Sequence, residues 1–211
     1  MKNMKSVLLL FLPVVFITAC GTTTQITSSW KASDVTHQPF KKIAVLAMIP
    51  DKNRMMRDEI ETDMAAQLKA SGHQAVSVLQ ELGPQNIDPK NEKQVMQLLQ
   101  QKGIDAVITV SCINKENFKT YNPGSTTYMP GGVTYNPFWN YYSYWYDRIY
   151  TPGYFTSGTN YVLETNLYEI PKNQLLYSVQ SKTFDPATFD NLGVSLSKTI
   201  VTDLTKSGIL H

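Results

Sequence analysis

Histidine occurs three times and cysteine twice in 211 residues, and neither is grouped. His37, His73 and His211 are too scattered to match any zinc spacing, so they are expected at the surface. No Gly-x-Ser-x-Gly elbow is present; Gly193-Val194-Ser195-Leu196-Ser197 lacks the second glycine and lies within a helical pattern. Gly131-Gly132 lacks the lysine that a phosphate loop requires. Asp58, Glu59, Glu61 and Asp63 crowd one helical stretch, where the expectation is a solvated face and not an acid and base pair. The sequence therefore predicts no catalytic residues, no metal site and no cofactor.

An apolar run long enough to span a bilayer is also missing, since a spanning helix needs roughly 20 such residues. The uncharged stretch from Ser6 to Thr18 follows Lys2 and Lys5 and has the length of a signal-peptide core. It ends in Ile17-Thr18-Ala19-Cys20, which resembles the lipobox read by bacterial lipoprotein processing enzymes. That resemblance implies a leader at 1–19, cleavage between Ala19 and Cys20, and a covalent lipid on the Cys20 thiol. Two or more acyl chains give stable anchoring where one does not. Gly21 stands where an Asp would resemble an inner-membrane retention signal, so the expected address is the outer membrane, facing the periplasm. Thr22 to Ser29 is polar and without apolar periodicity, and 20–29 reads as a lipidated tether.

Excess charge of one sign is absent. Loss of Lys2 and Lys5 with the leader takes the basic residues from 19 to 17, equal to the 17 acidic ones. A nucleic-acid partner needs clustered Lys and Arg, and Lys41-Lys42 is the only adjacent basic pair after the leader, so that class is excluded. With Cys20 acylated, Cys112 has no partner for an intramolecular disulfide, and its apolar surroundings, Ala106 to Ile113, suit a buried small hydrophobe.

What remains reads as one α/β domain over 30–211. Ile43 to Ile49 is a continuous apolar run, the pattern of a strand covered on both faces. Asp51 or Asn53 can cap a helix in which Met56, Ile60, Met64 and Leu68 recur every fourth residue, with Gly72 at its stop. A strand is predicted at Ala75 to Leu79, a helix around Val95, Leu98 and Leu99 closed by Gly103, and a strand from Ile104 to Ile113. Tyr161, Leu163 and Leu167 share a face of one hairpin strand, and Leu175, Tyr177 and Val179 a face of the other, around a Pro171-Lys172-Asn173 turn. Asp185-Pro186 opens a last helix with Leu192, Leu196, Ile200 and Leu204 at spacing four. The predicted fold is α/β: βαβαβ, then a β-hairpin and a C-terminal helix, one mixed sheet with packed helices and a long aromatic-rich insertion.

This order resembles the small α/β domain of the TolB amino-terminal type, found also in the curli-secretion and penicillin-binding-protein-activator lipoproteins. Ser29-Trp30-Lys31-Ala32, Phe40-Lys41-Lys42-Ile43, Gly103-Ile104-Asp105-Ala106-Val107-Ile108-Thr109 and Leu176-Tyr177-Ser178-Val179-Gln180 resemble a lipoprotein family of unknown function across nearly all of the chain after the leader. The resemblance implies a fold and an envelope address and brings no catalytic residue with it.

The insertion at 118–156 is the unusual feature. Fourteen of the 23 aromatic residues lie between Phe118 and Phe155, with only Lys119, Asp147 and Arg148 charged. Tyr121-Asn122-Pro123, Tyr128-Met129-Pro130 and Tyr135-Asn136-Pro137 repeat an aromatic-x-proline unit that is expected to turn the chain and present a ring. Phe138, Trp139, Tyr141, Tyr142, Tyr144, Trp145 and Tyr146 follow without the polar alternation that would leave one face wet. Four readings are open: a second aromatic core folded over the sheet, a protein-binding surface, a glycan-stacking platform, and insertion at a membrane interface. A pore hairpin of the curli-secretion type is disfavoured by the prolines. The expectation is a non-catalytic envelope protein, held to the membrane by its acyl anchor, that binds another envelope protein through these rings, with peptidoglycan as the alternative.

Overall fold

The computed structural model of the chain describes residues 22–33, 39–83, 92–122 and 154–210. Six strands form one mixed sheet in the order β1-β6-β5-β4-β2-β3: β1 is Thr23–Lys31, β2 Ile43–Met48, β3 Ala75–Ser77, β4 Ala106–Asn122, β5 Tyr154–Glu169 and β6 Gln174–Phe184. Among the described residues four α-helices accompany it: α1 Arg54–Ala70, α2 Val78–Leu82, α3 Glu92–Gln101 and α4 Phe189–Lys206. This is the expected α/β architecture, with one additional strand at its start.

The continuous apolar run at 43–48 is β2, parallel to both β3 and β4 and covered on both faces. On one side Ile43, Val45 and Ala47 join Met56, Ile60, Met64 and Leu68 of α1 and Leu192, Leu196, Ile200 and Leu204 of α4. On the other, Ala44 and Val107 meet Val78, Leu82, Leu99 and Ile104. Burial of each such side chain contributes about 1.5–3 kcal/mol. Gly72 and Gly103 close α1 and α3 with φ of 91° and 70°, values a β-carbon disfavours.

Four boundaries differ from expectation, each for a local reason. The predicted tether is mostly strand: β1 pairs antiparallel with β6 from Thr23↔Phe184 to Lys31↔Tyr177. It lacks apolar alternation because its inward contacts include hydroxyls. Thr24 Oγ1 lies 2.8 Å from Thr183 Oγ1 and donates to Ser195 Oγ of α4 at 2.9 Å. The strand predicted at 75–79 ends at Ser77, whose hydroxyl accepts the Gln80 amide at 3.2 Å and starts α2. Asp185-Pro186 is the turn out of β6 and not the helix entry; α4 begins after Thr188, whose Oγ1 accepts the Asn191 amide at 3.1 Å.

The strand predicted to stop at Ile113 continues to Asn122. A bulge between Cys112 and Asn114 puts Ile113 out of register, after which β4 and β5 pair without interruption to Asn122↔Tyr154. Both ends of the 118–156 insertion are therefore strand.

Candidate functional site

Beyond the row Tyr161↔Thr183, β5 loses its pairing with β6 and keeps only β4. The result is a two-stranded arm whose outer six pairs run from Asn117↔Thr159 to Asn122↔Tyr154, a projection of ~20 Å at 3.4 Å per residue. A lone hairpin is marginal in water, so its root needs fastening. Asp185, with φ of 39°, turns at the end of β6 and accepts the Thr159 amide on Oδ1 at 3.0 Å, while its own amide donates to Asn160 Oδ1 at 3.2 Å. Lys182 reaches Glu116 at 2.5 Å, and Lys115 Nζ lies 5.2 Å from the centre of the Tyr161 ring. Gly158 faces Phe118 across the ladder; a Cβ there would stand 2.4 Å from Phe118 Cζ and from Asp185 Oδ1.

Among the described residues, Tyr121, Tyr154 and Phe155 lie in the last two pairs of the arm. Tyr121 and Phe155 pair with centroids 5.0 Å apart. They are 54% and 71% exposed, and neighbouring Tyr154 is 63% exposed. Of the candidate surface residues named from sequence, Tyr121 is the one described, and it is exposed. Tyr128, Tyr135, Phe138, Trp139, Tyr141, Tyr142, Tyr144, Trp145 and Tyr146 lie outside the described residues, as do Ala19 and Cys20. Tyr154 and Phe155 were not singled out by sequence, although the strand alternation that brings Phe155 beside Tyr121 could have found them.

Asp58 of α1 is exposed, as a solvated face requires, but the other acidic residues of the helix depart from that expectation in two ways. Glu61 is fully buried. Its Oε1 accepts the Ala47 amide at 3.0 Å and Arg57 Nε at 3.1 Å, and its Oε2 accepts Ser77 Oγ and the Leu79 amide, both at 2.7 Å. It fastens α1 to β2, β3 and the first turn of α2. Glu59, Asp63 and Asp190 gather where α1 meets α4, each offering an oxygen within 4.8 Å of the others. Partial burial, then Asp190 and Glu59, push Asp63 up to about 6. The geometry would admit a divalent cation, but acidic groups on facing helices gather in this way without one.

Cys112 is half-buried against the core, and burial pushes its thiol up despite nearby Lys115, the setting of an unreactive cysteine. Tyr177 donates to Asp203 of α4; burial and that carboxylate raise the phenol well above its ordinary range, so it is a structural donor. Among the described residues no helix is long and apolar enough to cross a membrane.

No family model matches the chain, and no curated protein matches it. Solved structures similar to it include the PelC dodecamer from Paraburkholderia phytofirmans, at 11% identity and a TM-score of 0.45 over 87% of this chain and 96% of that one. Lipoprotein GNA1162 from Neisseria meningitidis is similar at 16% identity and 0.41, covering 78% of this chain and 98% of that one. A putative neuraminyllactose-binding hemagglutinin homolog from Helicobacter pylori is similar at 9% identity and 0.34, over 83% and 88%.

Proposed function

We propose that the protein is a non-catalytic envelope lipoprotein, acylated at Cys20 and facing the periplasm from the outer membrane, that holds another envelope protein through the 118–156 segment. The supporting observation is the β4–β5 arm. Both ends of the segment leave the sheet as one fastened ribbon, and Tyr121, Tyr154 and Phe155 on it are more than half exposed instead of joining a core. Large rigid rings give contact area at small entropic cost, which suits recognition. The anchored domain then serves as a mount and the arm as the contacting element.

Crosslinking in cells tests this reading. The acylated protein should capture a defined partner. A folded variant carrying Trp139→Ser, Tyr142→Ser and Trp145→Ser should lose it. Unchanged partner recovery overturns the role of the rings, and retention of the purified protein on peptidoglycan with no other protein present replaces the protein partner by the wall. Absence of acyl mass on the Cys20 peptide removes the anchor.

A further inference from the structure

Asp63 of α1 faces α4 where Gly193 leaves room for it: a Cβ at 193 would stand 2.2 Å from Asp63 Oδ2 and 3.1 Å from the backbone oxygen of Glu59. Asp63 Oδ2 is buried by this close approach, and among the described residues no hydrogen-bond partner reaches it. An ionised oxygen in that position has lost its water without gaining a donor, whereas a protonated carboxyl brings a donor of its own. The charged groups that face it are both acidic, Glu59 one turn earlier on α1 and Asp190 on α4, and the three offer oxygens within 4.8 Å of one another. Among the described residues none of the three is in a salt bridge. Lys198 lies two turns further along α4, in a groove that it and Asp190 share with the uncharged Thr22, Thr23 and Thr24 at the start of β1. The strands β2 and β3 and helix α2 meet α1 on its other side, at Glu61.

The first turn of α4 carries this contact to the root of the arm. Phe189, next to Asp190, sets its ring edge-on to Tyr161 with centroids 6.4 Å apart. Tyr161 pairs with Thr183 in the row where β5 leaves β6, and Lys115 Nζ lies 5.2 Å from its ring centre. Asp185, which accepts the Thr159 amide at 3.0 Å, is joined to Phe189 by Pro186, Ala187 and Thr188 alone. We infer that Asp63 and Asp190 share a proton across the α1–α4 contact, and that its loss toward neutral pH eases the first turn of α4, so that the root of the arm is a pH-responsive joint. With the proton in place the Asp63 hydroxyl donates to a carboxylate oxygen of Asp190 and one of three like charges is gone; without it all three confront one another. Burial, then Asp190 and Glu59, push Asp63 from 3.8 up to about 6, which sets the change in the mildly acidic range. The folded state favours the proton, so the joint is fastened below about 6 and eased above it. The inference holds for any partner of the arm, because it concerns only how the arm is seated on the sheet.

Carboxyl-carbon and amide NMR of the full chain in detergent micelles, titrated between about pH 4 and pH 8, reads both ends of the joint. Asp63 should titrate near 6, and the amides of Phe189, Tyr161 and Thr159 should shift with the same midpoint, while those of Ala44 and Val107, in the core on the other face of the sheet, stay still. Asp63→Asn should hold the three amides at their acid-side positions throughout. Asp190→Asn should lower the Asp63 midpoint by at least ~0.5 pH unit, since it removes a facing charge. An Asp63 midpoint in the ordinary carboxylate range, near about 4, overturns the shared proton. A titration of Asp63 near 6 that leaves Tyr161 and Thr159 unmoved overturns the joint. A transition abolished by millimolar calcium chloride assigns the carboxylates to a cation and overturns the inference as well. Should either variant fail to fold, the titration of the parent chain decides alone.

Discussion

Ser77 donates its hydroxyl to the buried carboxylate of Glu61 at 2.7 Å while the same oxygen accepts the Gln80 amide. One short polar relay thus ends β3, starts α2 and ties both to α1. The amides of Ala47 and Leu79 also terminate on Glu61, so removing the carboxylate leaves buried donors without acceptors. The expected cost of Glu61→Ala is about 3–5 kcal/mol, the range for breaking a buried charged network. Glu61→Gln should cost less but still more than 1 kcal/mol, because its amide nitrogen faces donors. Urea midpoints followed by far-ultraviolet circular dichroism decide this, and a loss below 1 kcal/mol for Glu61→Ala would mean that water replaces the carboxylate.

Sequence periodicity found the apolar contributors to this fold because Met56, Ile60, Met64 and Leu68, or Leu192, Leu196, Ile200 and Leu204, repeat on one helical face and all reach the core. Glu61 was missed because it sits beside Ile60 on α1, where composition alone cannot distinguish a solvated acid from one aimed at the ends of two strands. β1 was missed because Thr24 is satisfied by Thr183 and Ser195 instead of by apolar neighbours. The arm was half legible. Its rings were conspicuous, but apart from Phe118 and Tyr121 the stretch Lys115 to Asn122 is polar, and a ribbon outside the core needs no hydrophobic alternation to be strand.

Asp63 carries a pH signature. Burial and the facing carboxylates of Asp190 and Glu59 raise it from 3.8 to about 6. The folded state holds this proton more tightly than the unfolded chain, so Asp63 lowers stability progressively as pH rises from about 4 to about 6, and the penalty is constant above that. Asp63→Asn should gain on the parent protein through that window and keep a fixed advantage at higher pH. Paired melts at pH 4, 5, 6 and 7 isolate the contribution of this carboxylate group, since acids remote from Asp63, Asp190 and Glu59 cancel in the difference. A difference that does not vary with pH would contradict the assigned cause.

Gly193 is a glycine inside a helix, which ordinarily costs about 1 kcal/mol against alanine. Here the approach of α1 explains it: a Cβ at 193 would stand 2.2 Å from Asp63 Oδ2 and 3.1 Å from the backbone oxygen of Glu59. Gly193→Ala should therefore destabilise by about 1–3 kcal/mol in spite of its better helix propensity. Asp63→Ala clears the nearer obstacle. In a double-mutant cycle the two changes should be less harmful together than their sum, by at least 0.5 kcal/mol. Strict additivity would show that the helices separate for another reason.

The last prediction concerns what keeps the arm aligned with the sheet. Once β6 ends, the outward amide of Thr159 has no strand to meet, and Asp185 takes the place of the missing neighbour by accepting it at 3.0 Å. A side chain in the left-handed region is uncommon outside glycine, asparagine and aspartate, and the φ of 39° at Asp185 is what folds its carboxylate back onto β5. Two substitutions separate these roles. Asp185→Gly keeps the turn and removes the acceptor; Asp185→Asn keeps the turn and retains a neutral acceptor. Hydrogen exchange at Thr159 should accelerate about tenfold or more in the glycine variant, matching loss of a charge-assisted bond of about 1.5–3 kcal/mol, and much less in the asparagine one. Amides in β2 should be unaffected in both, because the clamp lies outside the core. If the glycine variant exchanges at the parent rate, the ladder to β4 alone keeps the arm straight, and its direction from the sheet is set by strand pairing and not by Asp185.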